Sequence, residues 1–143
     1  MDKIYVVYWS QSGNTQTMAE AVGKGITDAG REAGVVFVSD ASLDELQKAS
    51  VFALGCPAMG AEVLEETEME PFVSAVESFA SGKKIALFGS YGWGDGEWMR
   101  DWVDRMTAAG ASVLNGEGLM CHEFPDDDGI AQCEALGQQL AMA

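Results

Sequence analysis

The segment Ser10-Gln11-Ser12-Gly13-Asn14-Thr15 combines hydroxyls, side-chain amides and a glycine just before a predicted helix. Backbone N–H groups at a helix N-terminus, together with the helix dipole, favour the binding of an anion. The segment contains no Lys or Arg, whereas a loop that binds a nucleoside triphosphate supplies a Lys. These residues therefore indicate a phosphate monoester held by neutral donors. Taken alone, they also fit an ordinary capped turn.

The segment Cys56-Pro57-Ala58-Met59-Gly60-Ala61-Glu62 follows a short apolar run. Met59 carries a polarizable thioether that packs well against an aromatic ring. Gly60 permits backbone conformations that other residues avoid, and Glu62 can accept a hydrogen bond from a ring N–H. Taken alone, this segment is a loop with a turn glycine.

The segment Gly89-Ser90-Tyr91-Gly92-Trp93-Gly94-Asp95-Gly96-Glu97 has four glycines and two large aromatic residues. We expect these glycines and aromatic residues to lie outside any strand or helix. Aromatic surface in a solvent-facing loop is unfavourable unless a flat partner stacks on it, and the glycines allow bare backbone to approach that partner. Of the three segments, this one indicates a planar ligand most strongly.

The elements that must position these segments alternate along the chain. Unbroken apolar runs predict buried strands, and apolar residues at three- and four-residue steps predict helices. The predicted strands are 4–9, 35–38, 51–54 and 85–88, with a fifth that begins at 113, breaks at two glycines and resumes at 119–121. The predicted helices begin at Asn14, after a Ser42–Glu45 capping box, at Glu70-Pro71, near Trp98 and near Ile130.

This alternation predicts one α/β domain over residues 1–143, a three-layer α/β/α sandwich around a five-stranded parallel sheet in the order 2-1-3-4-5. In such sheets a ligand binds beyond the carboxyl ends of the strands, where the winding direction reverses. That point lies between strands one and three. The sequence therefore predicts that residues 10–15, 56–62 and 89–97 meet at one edge of the sheet.

Composition excludes several classes of partner. With 23 acidic and 8 basic residues the net charge is −15, which argues against nucleic acid and against anionic membranes. The acidic surface favours steering towards a basic partner, or it only keeps the protein dispersed. The apolar stretch at the N-terminus is too short for a signal peptide or a membrane span. Three widely spaced cysteines and a lone His122 indicate no disulfide, iron–sulfur or metal site, and they favour a reducing cytoplasm.

The three segments together resemble those of short-chain flavodoxins from anaerobic bacteria, and the resemblance covers essentially the whole chain. It is carried by Ser-x-Ser-Gly-Asn-Thr at 10–15, Gly-Cys-Pro-Ala-Met-Gly-x-Glu at 55–62 and Gly-Ser-Tyr-Gly-Trp-Gly-Asp-Gly at 89–96. It implies one non-covalently bound FMN and a low-potential one-electron carrier that shuttles between quinone, neutral semiquinone and anionic hydroquinone. It also implies redox enzymes with basic docking patches as partners, and a monomer.

The resemblance implies a contact role for residues in all three segments. Residues 10–15 would hold the phosphate, Trp93 and Met59 would cover the two flavin faces, and Glu62 would accept from flavin N3–H. Backbone amides around Gly92 and Gly94 would face the pyrimidine edge. The complete set is Ser10, Gln11, Ser12, Gly13, Asn14, Thr15, Pro57, Ala58, Met59, Gly60, Ala61, Glu62, Ser90, Tyr91, Gly92, Trp93 and Gly94.

The same resemblance implies a switch at the Gly60–Ala61 peptide, whose carbonyl turns towards flavin N5–H on reduction in this family. Two residues depart from the pattern. Ala61 replaces a residue that is often polar, so its side chain adds nothing to the switch. Pro57 replaces a hydroxyl found in some relatives, so one hydrogen bond to the ribityl chain or phosphate is missing. Ser90 would lie near that chain or the phosphate.

An acidic run follows the second segment and contains no Lys or Arg. Its acids are Glu62, Glu65, Glu66, Glu68 and Glu70. Their charge should oppose a second negative charge on the flavin and keep the second reduction step at low potential. On this interpretation, neutralising Glu65 and Glu66 raises that potential.

Three other classes of function are compatible with parts of the pattern. The first is a small FMN-dependent reductase of the same fold, although the sequence shows no second nucleotide site. The second is a phosphoryl receiver, which needs acids after strands one and three to bind Mg²⁺; here Tyr8-Trp9-Ser10 and Gly55-Cys56-Pro57 occupy those places. The third, a cofactor-free interaction domain, leaves the loop around Trp93 unexplained.

Overall fold

A computed structural model describes residues 3–60 and 62–143. Its strands are all parallel and lie in the order β2-β1-β3-β4-β5, with β6 also paired to β4. This is the predicted order, and the sixth strand is a small addition. The strands are β1 Ile4–Tyr8, β2 Ala33–Phe37, β3 Val51–Gly55, β4 Lys84–Tyr91, β5 Ser112–Val113 and β6 Leu119–His122.

Helices cover both faces of the sheet, as predicted. They are α1 Asn14–Asp28, α2 Leu43–Lys48, α3 Met69–Glu77, α4 Glu97–Ala108 and α5 Asp127–Met142. Helices α1 and α5 bury Met18, Val22 and Leu136 against one face. Helices α2, α3 and α4 pack on the other face, where Trp98 and Trp102 are almost fully buried.

Helix boundaries follow local hydrogen bonding. The Ser42 side-chain oxygen accepts from the N–H of Glu45 at 3.3 Å, so α2 begins where the capping box predicts. Helix α5 begins at Asp127, three residues before the predicted start. The reason is that the Asp126 carboxylate caps it, accepting from the N–H of Gly129 at 2.8 Å.

Helices α1 and α5 approach so closely that two glycines are needed at their contact. A Cβ at Gly25 would lie 1.9 Å from the carbonyl oxygen of Glu134, and one at Gly137 would lie 2.0 Å from that of Val22. Both positions are therefore closed to any side chain. This close contact fixes the helical layer of α1 and α5, which packs against β1 and β4, the strands that lead into the first and third segments.

The fifth strand is split, as the two glycines predicted. Strands β5 and β6 both pair with β4, and residues 114–118 leave the sheet between them, with positive φ at Asn115 and Gly116. The pairing with β6 also extends β4 to Tyr91. The expectation that the glycines and aromatic residues of the third segment lie outside strands is therefore wrong for Gly89 and Tyr91. The sequence of β4 could not show this, because the extension depends on a partner strand distant in the chain.

Candidate functional site

The three segments meet at the carboxyl edge of the sheet, after β1, β3 and β4. They surround a cavity of about 230 Å³. Its lining is Ser10, Gln11, Ser12, Asn14, Thr15, Pro57, Ala58, Met59, Ser90, Tyr91, Gly92 and Glu123. Eleven of these twelve are residues predicted from the sequence. Of the other predicted residues, Gly13, Gly60, Glu62, Trp93 and Gly94 flank the cavity in the chain, and Ala61 lies outside the described residues.

The first segment is organised as an anion site. The Ser10 hydroxyl accepts from the N–H groups of Gly13 and Gln16, both at 3.2 Å, and thereby holds the turn. Gly13 has φ +95° and immediately precedes α1. Among the residues that the structure describes, the N–H groups of residues 11, 12, 14 and 15 have no protein acceptor, and no Lys or Arg lines the cavity. Free N–H donors without a cation suit a phosphate monoester.

Ser90 joins all three segments. Its hydroxyl lies 3.0 Å from that of Thr15, and both side chains are buried. Its carbonyl oxygen accepts from the N–H of Ala58 at 3.0 Å. The end of β4 therefore fixes the relative position of the first and second segments.

The second segment forms a tight loop. Met59 and Val63 exchange two backbone hydrogen bonds, of 2.9 and 3.0 Å, in an isolated antiparallel bridge. Between them, Gly60 and Glu62 have φ of +50° and +56°. A positive φ is common for glycine but unfavourable for glutamate, and such strain is concentrated at functional sites. The bridge confines the strained backbone to the tip of the loop.

Glu62 connects the second segment to the third. Its Oε1 atom accepts from the N–H groups of Gly96 and Glu97, both at 3.2 Å, at the start of α4. A carboxylate is stabilised there by the helix dipole. A Cβ at Gly94 would lie 2.5 Å from the Glu62 carboxyl group. Glycine is therefore required at position 94 both by its φ of +86° and by this close approach.

The two aromatic residues of the third segment differ in environment. The Tyr91 ring is partly buried, with centroids 5.7 Å from the Trp98 ring and 5.1 Å from the His122 ring. The Trp93 side chain is 62% exposed. Tyr91 is thus held by the protein, whereas Trp93 presents a large apolar ring that is free to stack on a ligand.

Sequence reasoning missed Glu123 as a lining residue. It follows β6, has φ +60°, and donates its N–H to the Tyr91 carbonyl oxygen at 2.7 Å. No motif marks it. Its signal is topological, because the carboxyl end of the fifth predicted strand reaches the same sheet edge as the other three.

The acidic run beyond the second segment is less uniform than its sequence suggests. Glu70 is paired with Arg105 at 2.6 Å, and the hydrogen bond from that guanidinium lowers the pKa of Glu70. Glu65 is buried and bonded to backbone N–H groups, whereas Glu66 is exposed. Neutralising Glu65 would therefore change the fold as well as the charge, and only Glu66 tests the charge effect cleanly.

The cysteines lie in the two halves of the hydrophobic core. All three are free and buried. Burial raises the pKa of the Cys56 thiol to about 12, which keeps it protonated at neutral pH. Within residues 3–60 and 62–143 there is no group of three His, Cys, Asp or Glu residues that could hold a metal ion. In the same ranges, no helix is both long and apolar enough to cross a membrane.

Comparison with known families identifies the arrangement. The family model described as Flavodoxin matches residues 6–137. The chain belongs to the flavodoxin family. It is 46% identical to the flavodoxin of Clostridium beijerinckii over 136 residues, which are 95% of this chain and 97% of that protein.

A solved structure and a larger relative extend this result. The solution structure of two-electron reduced Megasphaera elsdenii flavodoxin superposes with a TM-score of 0.87 at 40% identity, covering 98% of this chain and 99% of that one. The anaerobic nitric oxide reductase flavorubredoxin of Vibrio vulnificus is 30% identical over 98% of this chain but only 29% of its own length. Domains of this kind therefore also occur inside larger redox enzymes.

These findings confirm the resemblance to short-chain flavodoxins, the fold and FMN as the cofactor. The protein is an FMN-binding electron carrier. In sheets of this strand order a ligand binds where the winding direction reverses, and the cavity lies at that point.

Proposed function

We propose that this flavodoxin is a low-potential one-electron carrier of a single domain, and that all three segments hold its FMN as the resemblance implies. One observation supports the proposal most directly. Segments from three different strand ends converge on one cavity that offers free N–H groups and no cation. When bound, the flavin supplies the redox chemistry, and the protein sets its potentials.

The phosphate end of FMN would occupy the first segment. The side chains of Ser12 and Asn14 and the N–H groups of residues 11, 12, 14 and 15 would donate to its oxygens, and Ser10 would hold the turn that presents them. The hydroxyls of Thr15 and Ser90, which are hydrogen-bonded to each other and buried, would lie at the floor of the cavity, and the one that accepts in this pair would keep its hydrogen free to donate to the ligand. Hydrogen bonds from these neutral donors to an ionised phosphate would be charge-assisted and therefore stronger than bonds between neutral groups.

The isoalloxazine ring would lie between the second and third segments. Trp93 would stack on one face and Met59 would cover the other. The Glu62 carboxylate is already oriented through Oε1 by two N–H groups, so its second oxygen is available to accept from the ring N3–H. Backbone amides around Gly92 and Gly94 would face the pyrimidine edge.

The tip of the second segment would respond to reduction. The Met59–Val63 bridge fixes both ends of a three-residue tip. A turn of the Gly60 carbonyl towards flavin N5–H would then involve the tip alone. One such hydrogen bond contributes about 1 kcal/mol net and would favour the reduced states that carry a proton at N5.

The charge distribution supports docking to basic patches on redox enzymes. Five of the eight basic residues lie at or just before the amino ends of strands, at the sheet edge opposite the cavity. They are Lys3, Arg31, Lys48, Lys83 and Lys84. The cavity edge carries Glu62, Glu66, Glu97 and Glu123, and Arg100 nearby is paired with Asp95 at 3.0 Å. This polarity would orient the acidic, flavin-bearing edge towards a basic partner.

We further propose that the carrier works as a cytoplasmic monomer without an enzymatic activity of its own.

The proposed stacking residue can be tested with a matched pair of variants. Trp93 and Phe124 are exposed aromatic residues, at 62% and 63%. We expect Trp93→Ala to weaken FMN binding by about fivefold or more, because stacking on a large aromatic ring stabilises a flat ligand by about 1 kcal/mol or more. Phe124→Ala should change it less than about threefold. Quenching of flavin fluorescence on titration with the FMN-free protein measures both. Equal losses for the two variants would contradict the assignment.

A further inference from the structure

Glu65 carries a buried carboxylate that the proposed cofactor contacts do not use. Its side chain is only 6% exposed. Oε1 accepts from the N–H groups of Glu68 and Met69 at 2.7 and 3.0 Å, and Oε2 accepts from the Thr67 N–H at 2.8 Å and from the Thr67 hydroxyl. A buried charge is unfavourable unless such bonds satisfy it. Here four donors do so, and no Lys or Arg among the described residues shares the carboxylate.

This carboxylate takes the place of a helix cap. Helix α3 begins at Met69, and its N-cap residue Glu68 makes no side-chain capping bond. Glu65 supplies that bond from three residues earlier, at the positive end of the helix dipole. Its own carbonyl oxygen accepts from the Glu70 N–H at 2.8 Å. Glu65, three residues after the second segment, is therefore bonded to the start of α3 through both its side chain and its backbone.

Glu65 also joins the two ends of the loop formed by residues 56–65. These two ends, at Cys56 and Glu65, are the neck of the loop. The Glu65 N–H donates to the Cys56 sulfur at 3.4 Å, which brings the last and first residues of the loop together. Cys56 is itself fixed, because its N–H donates to Phe88 O at 3.1 Å and its carbonyl oxygen accepts from the Trp98 ring N–H at 3.1 Å. Leu64, between neck and tip, is buried in the core. The loop is thus rigid at its neck and strained at its tip.

We propose that Glu65 is a positioning residue for FMN: by locking the two ends of the loop formed by residues 56–65, it holds Met59 and Glu62 in place. This inference deepens the proposed function and rests on it. Glu65 touches no part of the cofactor in this account. It acts through the backbone of the loop.

The test needs a variant that removes the lock and one that removes only the charge. Glu65→Gln keeps the shape but weakens the four hydrogen bonds, since an amide lacks the charge and has one acceptor oxygen. Glu66→Gln removes the same charge from the exposed neighbouring residue and leaves the lock intact. Thr67→Val removes one donor to Glu65 and preserves every charge, so it gives a milder second lesion if Glu65→Gln does not fold.

Hydrogen exchange of the FMN-free protein measures how firmly the neck of the loop is held, without any contribution from bound flavin. We expect the N–H groups of Met59 and Val63, which form the bridge, to exchange about tenfold faster or more in Glu65→Gln and measurably faster in Thr67→Val. They should be unchanged in Glu66→Gln. The Ile4 N–H, bonded to Glu32 O at 2.9 Å in the β1–β2 region, reports global unfolding and should change less than the bridge.

FMN affinity then separates positioning from a purely structural role. We expect about tenfold weaker binding for Glu65→Gln, an intermediate loss for Thr67→Val, and no loss for Glu66→Gln. Unchanged exchange at Met59 and Val63 in Glu65→Gln, or equal effects of the Glu65 and Glu66 variants, would overturn the proposal. Failure of the wild-type protein to bind FMN would instead overturn the proposed function and leave the exchange result standing.

Discussion

At the scale of single residues, the site depends on a few positions where only one residue type fits. Gly94 is one, because it combines a positive φ with close approach to the Glu62 carboxyl group. Glu65 is another, because its carboxylate is buried among hydrogen-bond donors. The sequence marked Gly94 through its motif. It gave no sign that Glu65 differs from Glu66, because burial of one of two adjacent glutamates depends on the helix that each one faces.

A comparison of Gly94→Ala with Gly30→Ala should separate the effect of backbone strain from the effect of a clash with the Glu62 carboxyl group. Gly94 and Gly30 have similar φ values, +86° and +89°, but a Cβ at Gly30 would meet open space. We expect each substitution to lower the free energy of unfolding by about 1 kcal/mol. Only Gly94→Ala should also weaken FMN binding, because Glu62 must move. Urea unfolding and FMN titration of both variants check this, and equal FMN affinities would refute the role of Glu62.

The charge of Glu65 predicts a specific pH dependence of stability. Burial alone would raise the pKa of Glu65, but hydrogen bonds from Thr67, Met69 and Glu68 hold it below its ordinary value of 4.5. A depressed pKa in the folded state means that the stabilisation is complete above about pH 5 and is lost as pH falls through the folded value. We therefore expect the difference in free energy of unfolding between wild type and Glu65→Gln to shrink on acidification.

Urea unfolding of the FMN-free proteins between about pH 7 and pH 3 measures that difference. Glu70, whose pKa is lowered by Arg105, titrates in both proteins and cancels. A difference that is constant with pH would mean that the Glu65 charge does not contribute through its hydrogen bonds.

At the scale of elements, alternating periodicity was enough to predict the strand order and the two helical layers. Periodicity did not predict the element boundaries that depend on a distant partner strand or on a single capping side chain. Strand β4 reaches Tyr91 only because β6 pairs with it, and no local pattern in residues 89–91 could reveal this. The early start of α5 depends on a single capping side chain, Asp126. The convergence of the three segments was predictable, since it follows from strand order alone.

The α1–α5 contact predicts that Gly25→Ala destabilises the protein although alanine favours helix. The added Cβ would overlap the Glu134 carbonyl oxygen, so the helices must separate, and we expect a loss of about 2 kcal/mol or more. The Glu20→Ala control, on the exposed face of the same helix, should change stability by less than about 0.5 kcal/mol. Thermal or urea unfolding gives both values. A Gly25→Ala protein as stable as wild type would show that the close contact is not required.

At the scale of the whole molecule, most basic residues and the cofactor site lie at opposite edges of the sheet. The net charge of −15 was visible in the composition, but its segregation was not, because it depends on which ends of the strands share an edge. Most cations lie at the amino edge, and the cavity opens at the acidic carboxyl edge. The same acids that would attract a basic partner would oppose further negative charge on the flavin, so the proposed docking and the proposed low potential would have a common physical origin.

The central claim is that three loops hold one FMN for stepwise electron transfer, and the absorbance spectrum of the purified protein during slow reduction tests it most directly. We predict flavin bands in the oxidised protein that bleach in two stages, with a transient long-wavelength band after the first electron. A colourless protein that does not bind added FMN would contradict the account, and so would bleaching in a single stage without that band.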